Sequence, residues 1–162
     1  MDWTAAQTLS AFPRVCVSAS RRVAALRSSG LVCASASTRR VYGVTIGGSG
    51  QLGVNLTTLV NEGTIRADQT NMLQVDPGAG GMTNTGLMVA SNGATLNLLP
   101  AAYDNTDGEI RAEDGSTVRF INGTDVDGGL IVAASGGNLE LVGGNLTGPT
   151  LRVDFGGTAT IT

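Results

Sequence analysis

The distribution of apolar positions is periodic between residue 41 and residue 162. In the clearest copy of the pattern, Ile110 is followed by a small residue at plus two, a glycine at plus five, and apolar residues at plus eight and plus ten. Six copies occur at intervals of 19 to 23 residues, and they open at Ile46, Ile65, Met88, Ile110, Ile131 and Leu151. The second copy lacks the glycine, and the first copy, which we expect to close at Val54 and Leu56, follows the pattern more loosely.

Each copy predicts two short strands joined by a glycine turn. Apolar and polar residues alternate from Ile110 to Ala112 and again from Val118 to Phe120, which indicates strands with one buried face. A glycine also stands two residues before most opening residues, with asparagine or aspartate just ahead, and we expect both to supply left-handed backbone angles at turns. These residues are Gly63, Gly86, Gly108 and Gly129, preceded by Asn61, Asn84, Asn105 and Asp127.

Recurrence of several strands at this interval is typical of a solenoid. A β-sandwich or barrel of short strands also has regular turns, but it does not require the same residue classes at the same offsets in every repeat. Leucine-rich repeats share the interval but need a leucine and asparagine frame that is missing here. The pattern therefore predicts an all-β, parallel β-helix of about five to six coils, forming a rod of about 25–30 Å.

The outward positions support stacked coils. One residue after the opening positions stand Arg66, Val89, Arg111, Val132 and Arg152. In a parallel stack these residues become vertical neighbours, so that no two arginines touch. The same stacking places Arg119 beside Glu140, which is a favourable pair on adjacent strands.

Charge divides the chain into two parts. Residues 1–40 contain six arginines and one acid, whereas residues 41–162 contain four arginines and twelve acids. An acidic repeat region argues against binding nucleic acid, because such binding depends on neutralising phosphates with lysine and arginine. No apolar run approaches the roughly 20 residues that span a bilayer, so we expect no membrane insertion by this segment.

Cysteine and histidine usage limits the chemistry of the repeats. The chain has no histidine, and both cysteines, Cys16 and Cys33, lie before the repeats. A disulfide scaffold and a thiol nucleophile are therefore excluded there, and a zinc or triad site would have only carboxylates and hydroxyls.

Residues 1–40 form a leader that does not share the repeat pattern. Its arginine-rich, serine-rich and acid-poor composition fits a targeting presequence. It also fits a poor secretory signal, or non-native sequence ahead of the repeats. On each interpretation we expect residues 1–40 to be disordered or weakly helical around Arg21–Leu31, and residues 41–162 to be the folded unit.

The repeats resemble the passenger regions of bacterial autotransporters and filamentous-haemagglutinin-like adhesins, which are right-handed parallel β-helices. The residues that carry the likeness are Asn61-Glu-Gly63-Thr-Ile65, Asn84-Thr-Gly86-Leu-Met88 and Asn105-Thr-Asp-Gly108-Glu-Ile110, with the Gly-x-x-Leu-x-Leu tails that follow. The resemblance covers roughly residues 43–162. It implies a right-handed coil, a secreted or cell-surface location associated with an outer membrane, and a segment that belongs to a longer solenoid.

Carboxylates cluster in the middle of the repeats, at Asp104, Asp107, Glu109, Glu113, Asp114, Asp125 and Asp127. Polysaccharide-cleaving enzymes use such groups as general acids, bases or calcium ligands. Turns favour aspartate for backbone reasons, however, and acids keep a solenoid soluble, and we prefer this explanation. We therefore predict no catalytic, cofactor-binding or metal-binding residues and no cofactor.

Three triplets match the acceptor pattern for asparagine-linked glycans, beginning at Asn55, Asn122 and Asn145. In a chain this rich in asparagine and threonine, three matches are expected by chance.

The sequence thus favours a non-catalytic structural or adhesive segment. Its expected partners are a host or matrix surface or glycan, with self-association through open solenoid ends. The alternative is a carbohydrate-active β-helix, of lyase or hydrolase type, that uses the outer carboxylates. A third hypothesis, a eukaryotic organelle protein, rests on the leader alone.

Overall fold

A computed structural model describes residues 26–29 and 38–162, and within these ranges it contains strands and no helix. All strands pair in parallel with defined partners. The strands are Leu26–Ser29 (β1), Thr38–Leu52 (β2), Thr58–Ala67 (β3), Leu73–Val75 (β4), Met82–Asn84 (β5), Leu87–Ala90 (β6), Thr95–Leu98 (β7), Ala101–Asp104 (β8), Glu109–Ala112 (β9), Thr117–Ile121 (β10), Thr124–Asp127 (β11), Leu130–Ala133 (β12), Asn138–Val142 (β13), Asn145–Thr147 (β14), Thr150–Val153 (β15) and Thr158–Ile161 (β16).

The strands build a parallel β-solenoid of about six coils, as the repeat pattern predicted. Each coil passes through three faces. The first face stacks the start of β2, the start of β3, β5, β8, β11 and β14. The second stacks the middle of β2, the end of β3, β6, β9, β12 and β15. The third stacks the end of β2, β4, β7, β10, β13 and β16. The right-handed sense of the coil stays a prediction.

The second face confirms the predicted alignment of the repeats. Its register pairs the six opening residues in a single inward row, Ile46, Ile65, Met88, Ile110, Ile131 and Leu151. The small residues two positions later form a second inward row, Gly48, Ala67, Ala90, Ala112, Ala133 and Val153. Residues at the same offset in successive repeats therefore stack on one another, as the repeat pattern predicted.

The residues that the first coil contributes to the third face differ from those predicted. Gly50 pairs with Leu73 and Leu52 pairs with Val75, so Val54 and Leu56 do not belong to the inward rows. In this coil β2 is continuous for 15 residues and bends from the second face to the third at Gly48 and Gly50, whose φ values are 135° and 113°. The segment of this coil on the third face therefore begins four residues sooner after its opening residue, Ile46, than the equivalent segments of the other repeats. Val54 instead lies in a turn at φ 53°, and Leu56 is exposed.

The core is a column of aliphatic side chains with two aromatic rings. Phe120 and Tyr103 are both buried. Phe120 follows the third-face row of Val75 and Leu98, whereas Tyr103 stacks between Met82 and Val126 on the first face. Burying such side chains contributes roughly 1.5–3 kcal/mol each relative to exposure. The stability of each coil therefore depends on the coils next to it.

The regular recurrence of asparagines in the repeats has a different cause from the one predicted. Asn61, Asn84 and Asn105 do not adopt left-handed angles, and all are buried at the bend between the first and second faces. The Nδ2 of Asn61 donates to Oδ1 of Asn84 at 2.7 Å, and Nδ2 of Asn84 donates to Oδ1 of Asn105 at 2.6 Å. The three amides form a hydrogen-bonded ladder along the solenoid axis. Asp127 is exposed and is not part of it, because the register aligns Asn105 with the residue after Asp127.

The glycines of the repeats fall into two groups. The turn glycines Gly93, Gly115, Gly136 and Gly156 have φ between 67° and 83°, as predicted. Gly63, Gly86 and Gly108 lack a positive φ, so their predicted role was wrong, whereas Gly129 has φ 72° as predicted. A Cβ at Gly86 would lie 2.2 Å from the carbonyl oxygen of Gly63, and one at Gly108 would lie 2.3 Å from that of Asn84. These glycines are required because adjacent coils approach closely at the bend.

The leader boundary also differs from the prediction. β2 begins at Thr38, three residues before the expected start of the repeats at residue 41, and Leu26–Ser29 forms a strand paired with Ile46–Ser49. Weak helix was expected around Arg21–Leu31, but within that stretch residues 26–29 are extended. Residues 1–25 and 30–37 lie outside the described part of the chain.

We expect replacement of the middle amide of the ladder to destabilise the solenoid. In Asn84→Ala, the Asn61 amide loses one acceptor and keeps only the carbonyl of Leu87, Asn105 loses its donor, and both are left in a buried site. The free energy of unfolding, measured by chemical denaturation, should fall by about 2–4 kcal/mol. Asn71→Ala, at an exposed asparagine, should change it by less than about 0.5 kcal/mol. Equal effects of the two substitutions would contradict a structural role for the ladder.

Candidate functional site

The second face carries the outward row predicted from the sequence. The register places Arg66, Val89, Arg111, Val132 and Arg152 one above the other, with arginine and valine alternating. Val89 and Val132 are fully buried although they are not part of the internal core. Arg66 and Arg111 are themselves only partly exposed. The row is therefore a mixed strip of apolar and cationic groups, in which long arginine stems can cover the neighbouring valines.

Carboxylates flank the cationic groups on the outer surface. Glu109 forms an ion pair with Arg111 on the same strand, and Asp154 lies 3.1 Å from Arg152. On the first face, Arg40 pairs with Glu62 at 2.7 Å across adjacent coils. Each pair is partly solvent-exposed, so each contributes at most about 1 kcal/mol.

The predicted pairing of Arg119 with Glu140 is confirmed. The two residues are register partners on β10 and β13, and Nε of Arg119 lies 2.7 Å from Oε2 of Glu140. The contact is an ion pair rather than an aligned hydrogen bond, because the same Nε–H has no acceptor in suitable geometry. Glu140 is also held by Asn138, whose Nδ2 donates to Oε1 at 2.9 Å.

The clustered carboxylates of the sequence are divided between separate parts of the surface. Asp104 and Asp127 are direct register partners on β8 and β11, and Asp125 lies on the same outward side of β11. Glu109 lies on the second face, where it pairs with Arg111. The others lie in turns: Asp107 before β9, and Glu113 and Asp114 after it. The fold thus brings together three of the seven residues.

The chemistry available to the first-face carboxylates is limited by their neighbours. Oδ1 of Asp104 accepts from the hydroxyl of Thr106 at 2.7 Å and from its backbone N–H at 3.2 Å, which is a local turn arrangement. Across residues 26–29 and 38–162, the structure contains no group of three or more potential metal-binding side chains. The stacked pair of Asp104 and Asp127 is therefore the arrangement closest to a two-carboxylate site.

A buried polar site near the third face was not anticipated from the sequence. The hydroxyl of Tyr103 lies 2.9 Å from the carbonyl oxygens of Val75 and Leu99, and it can donate to one of them at a time. Burial, and secondarily the charge of Asp76, raise the pKa of Tyr103 well above its ordinary value. Desolvation also raises the pKa of Asp76, although Nε2 of Gln51 donates to Oδ2 of that carboxylate at 2.6 Å. These groups are 25 to 28 residues apart in the chain, so no local motif signals them.

The last coil differs from the others in its exposure. Its inward-row residues Leu151 and Ile161 are 51% and 82% exposed, whereas the equivalent Ile131 and Leu141 of the preceding coil are buried and partly buried. Phe155, in the turn between β15 and β16, is 98% exposed. Coil six therefore exposes apolar side chains at positions that the preceding coils bury or partly bury.

Comparison of the chain with protein-family models found no match. Searches against curated proteins and against solved structures likewise gave no significant similarity. In the part of the chain that the structure describes, no helix has the length and apolar character needed to cross a membrane.

We expect Tyr103 to make stability fall at alkaline pH. Its pKa is raised in the folded protein, so its contribution is fully present below the ordinary tyrosine value of about 10 and is lost as pH rises above it. The unfolding free energy should decrease by up to about 1.4 kcal/mol per pH unit in that range. Tyr103→Phe should remove this slope, at a cost of about 1 kcal/mol at neutral pH.

The matched control is Tyr42→Phe, at the other tyrosine of the chain, which is exposed. This variant should keep the alkaline slope of the parent protein. If Tyr103→Phe retains the full slope in denaturation series at pH 9 to 12 (roughly one unit below to two above the ordinary value), the buried phenol is not its source.

Proposed function

We propose that this chain is a non-catalytic structural or adhesive segment of a secreted or surface-exposed bacterial protein. The observation that supports the proposal is the continuous outward row on the second face, from Arg66 to Arg152, on coils held in one register. Stacked repeats create extended surfaces on which identical positions recur at a fixed spacing. Such a surface suits binding to a matrix, a host cell or a glycan through many weak contacts.

The composition of this surface favours adhesion over a single compact site. The arginines provide the solvent-accessible groups of the row, because the valines between them are fully buried, and two of the arginines are partly neutralised by Glu109 and Asp154. A polymer or cell surface can contact several coils at once, and linked weak contacts give high overall affinity. The resemblance of the repeats to autotransporter and haemagglutinin-like passengers supports the same role and an outer-membrane-associated location.

Self-association through coil six is part of the proposal. Leu151, Phe155 and Ile161 are exposed apolar side chains on this coil. Contiguous exposed apolar side chains favour contact with another apolar surface. The partner is another copy of the protein.

A second candidate function is polysaccharide cleavage by the first-face carboxylates. It is favoured by one observation, the direct stacking of Asp104 on Asp127 in adjacent coils, whose backbones lie about 4.8 Å apart. Paired carboxylates about 5–5.5 Å apart serve as acid and nucleophile in retaining glycosidases. Asp125 lies two residues from Asp127 on the same side and would be a third acidic group.

The two functions are separated by replacing the carboxylates of this region with alanine. The set comprises Asp104, Asp107, Glu109, Glu113, Asp114, Asp125 and Asp127. If the segment is adhesive, the variant should bind cells or matrix within about twofold of the parent, because weak exposed charges contribute little individually. Binding is measured with immobilised matrix and whole cells, after circular dichroism has shown that the variant is folded.

The parent protein is tested in parallel for release of reducing ends or unsaturated sugars from a polysaccharide panel. We expect no release. Activity of the parent that disappears in the double variant Asp104→Ala/Asp127→Ala would overturn the adhesive proposal and support the enzymatic one. Loss of binding in a variant that lacks only the first-face carboxylates Asp104, Asp125 and Asp127, with the fold intact, would also contradict the second face as the adhesive surface.

A further inference from the structure

One methionine of the repeats lies on the outer surface of the solenoid. Met72 is 45% exposed, whereas Met82 and Met88, the other methionines in the described part of the chain, are 3% and 0% exposed. Met72 stands immediately before β4, at the end of the segment that joins the second face to the third in the second coil. It is therefore the described methionine that a reagent in solvent reaches most readily.

The sulfur of Met72 is in contact with a buried amide of the next coil. The register pairs Leu73 with Leu96 as inward residues, so Met72 and Asn97 both lie on the outward side of the third face. Nδ2 of Asn97 donates to Sδ of Met72 at 3.2 Å, and Asn97 is only 5% exposed. A thioether is a weak acceptor, so a nearly buried amide donates to a poor partner.

The hydrogen-bonding capacity of Asn97 is incompletely used. Its Oδ1 is buried and has no hydrogen-bond partner among the described residues. The amides of the buried ladder, by contrast, donate to oxygen atoms. Because buried polar groups ordinarily have good partners, the Asn97 amide points to a stronger partner than the thioether supplies.

We propose that Met72 is a peroxide-reactive modification site whose sulfoxide is held by Asn97. A lone pair of Sδ attacks one oxygen of hydrogen peroxide, and a sulfur–oxygen bond forms as the oxygen–oxygen bond breaks. The departing hydroxide takes the bonding electrons and then the proton of the transferred oxygen, so that water is released. The sulfur is oxidised by two electrons, and the peroxide is reduced by two.

Oxidation replaces the poor acceptor with a strong one at the same place. The new oxygen is bonded to the atom that Asn97 already contacts, and the flexible side chain of Met72 can turn this oxygen toward Nδ2. The partial exposure of Met72 leaves room for the added atom. The same oxidation at Met82 or Met88 would place a polar oxygen in the core. The sulfoxide of Met72 therefore ties the segment before β4 more firmly to β7.

The selectivity of the site is tested by treating the folded full chain with hydrogen peroxide. Trypsin then releases residues 67–111 as one peptide, which contains Met72, Met82 and Met88 and no cysteine. Fragmentation of this peptide assigns the added oxygen. Met72 should be oxidised at least about tenfold faster than either buried methionine, because susceptibility follows exposure.

The hold by Asn97 is tested by nuclear magnetic resonance of its side-chain amide. After oxidation, exchange of the Nδ2 hydrogens with water should slow about two- to tenfold, because a typical net hydrogen bond replaces a weak one. The matched control is Met72→Leu, which keeps an apolar side chain and lacks sulfur. Peroxide should leave the Asn97 resonances of this variant unchanged.

Oxidation of Met82 or Met88 as fast as Met72 in the folded chain would overturn the assignment of the site. Unchanged or faster exchange of the Asn97 amide after oxidation of Met72 would overturn the hold, since the sulfoxide oxygen would then face solvent. Neither readout depends on adhesion, so this inference and the proposed function fail independently.

Discussion

The structure depends on the stacking of each coil on its neighbours. The strands are short, between three and five residues from β4 onward, and their backbone groups pair with the coils above and below rather than within one coil. A single coil of this kind buries neither its inner side chains nor its hydrogen-bonding groups. Every inward position must consequently match the same position one repeat earlier and later, which produces the periodic sequence.

Close approach at the bend between the first and second faces imposes a second constraint. Gly63, Gly86 and Gly108 bring adjacent backbones so near that a methyl group would overlap a carbonyl oxygen. The asparagine ladder lies at the same bend and adds side-chain hydrogen bonds to the backbone hydrogen bonds that join adjacent coils there. The short Asn-x-Gly pattern thus allows adjacent coils to approach closely and supplies hydrogen bonds between them. Left-handed backbone angles at a turn do not explain this pattern.

The sequence predicted the stacked columns because inward side chains repeat in kind, and it predicted the Arg119–Glu140 pair because outward neighbours follow from the same register. It misplaced the end of the first coil, where β2 continues through the bend and the glycines of that bend, Gly48 and Gly50, stand at other offsets from Ile46 than in the later repeats. It also did not reveal the site of Tyr103 and Asp76. That site is formed across coils by residues that belong to no repeated motif.

The candidate surfaces were less predictable than the core for a related reason. Outward side chains are not constrained by stacking, so the acidic residues of the middle repeats are divided among different faces by the bends. Function on such a scaffold is carried by the surface, whereas the repeated pattern specifies the fold.

The stacked register is tested most directly by the distance between the two ends of the outward row. Spin labels at Arg66→Cys and Arg152→Cys, with Cys16 and Cys33 replaced by serine, report on positions four coils apart. Double electron–electron resonance should give a narrow distribution corresponding to about 19 Å between the backbones, four strand spacings. A broad distribution, or a distance larger by half or more, would contradict a parallel in-register solenoid.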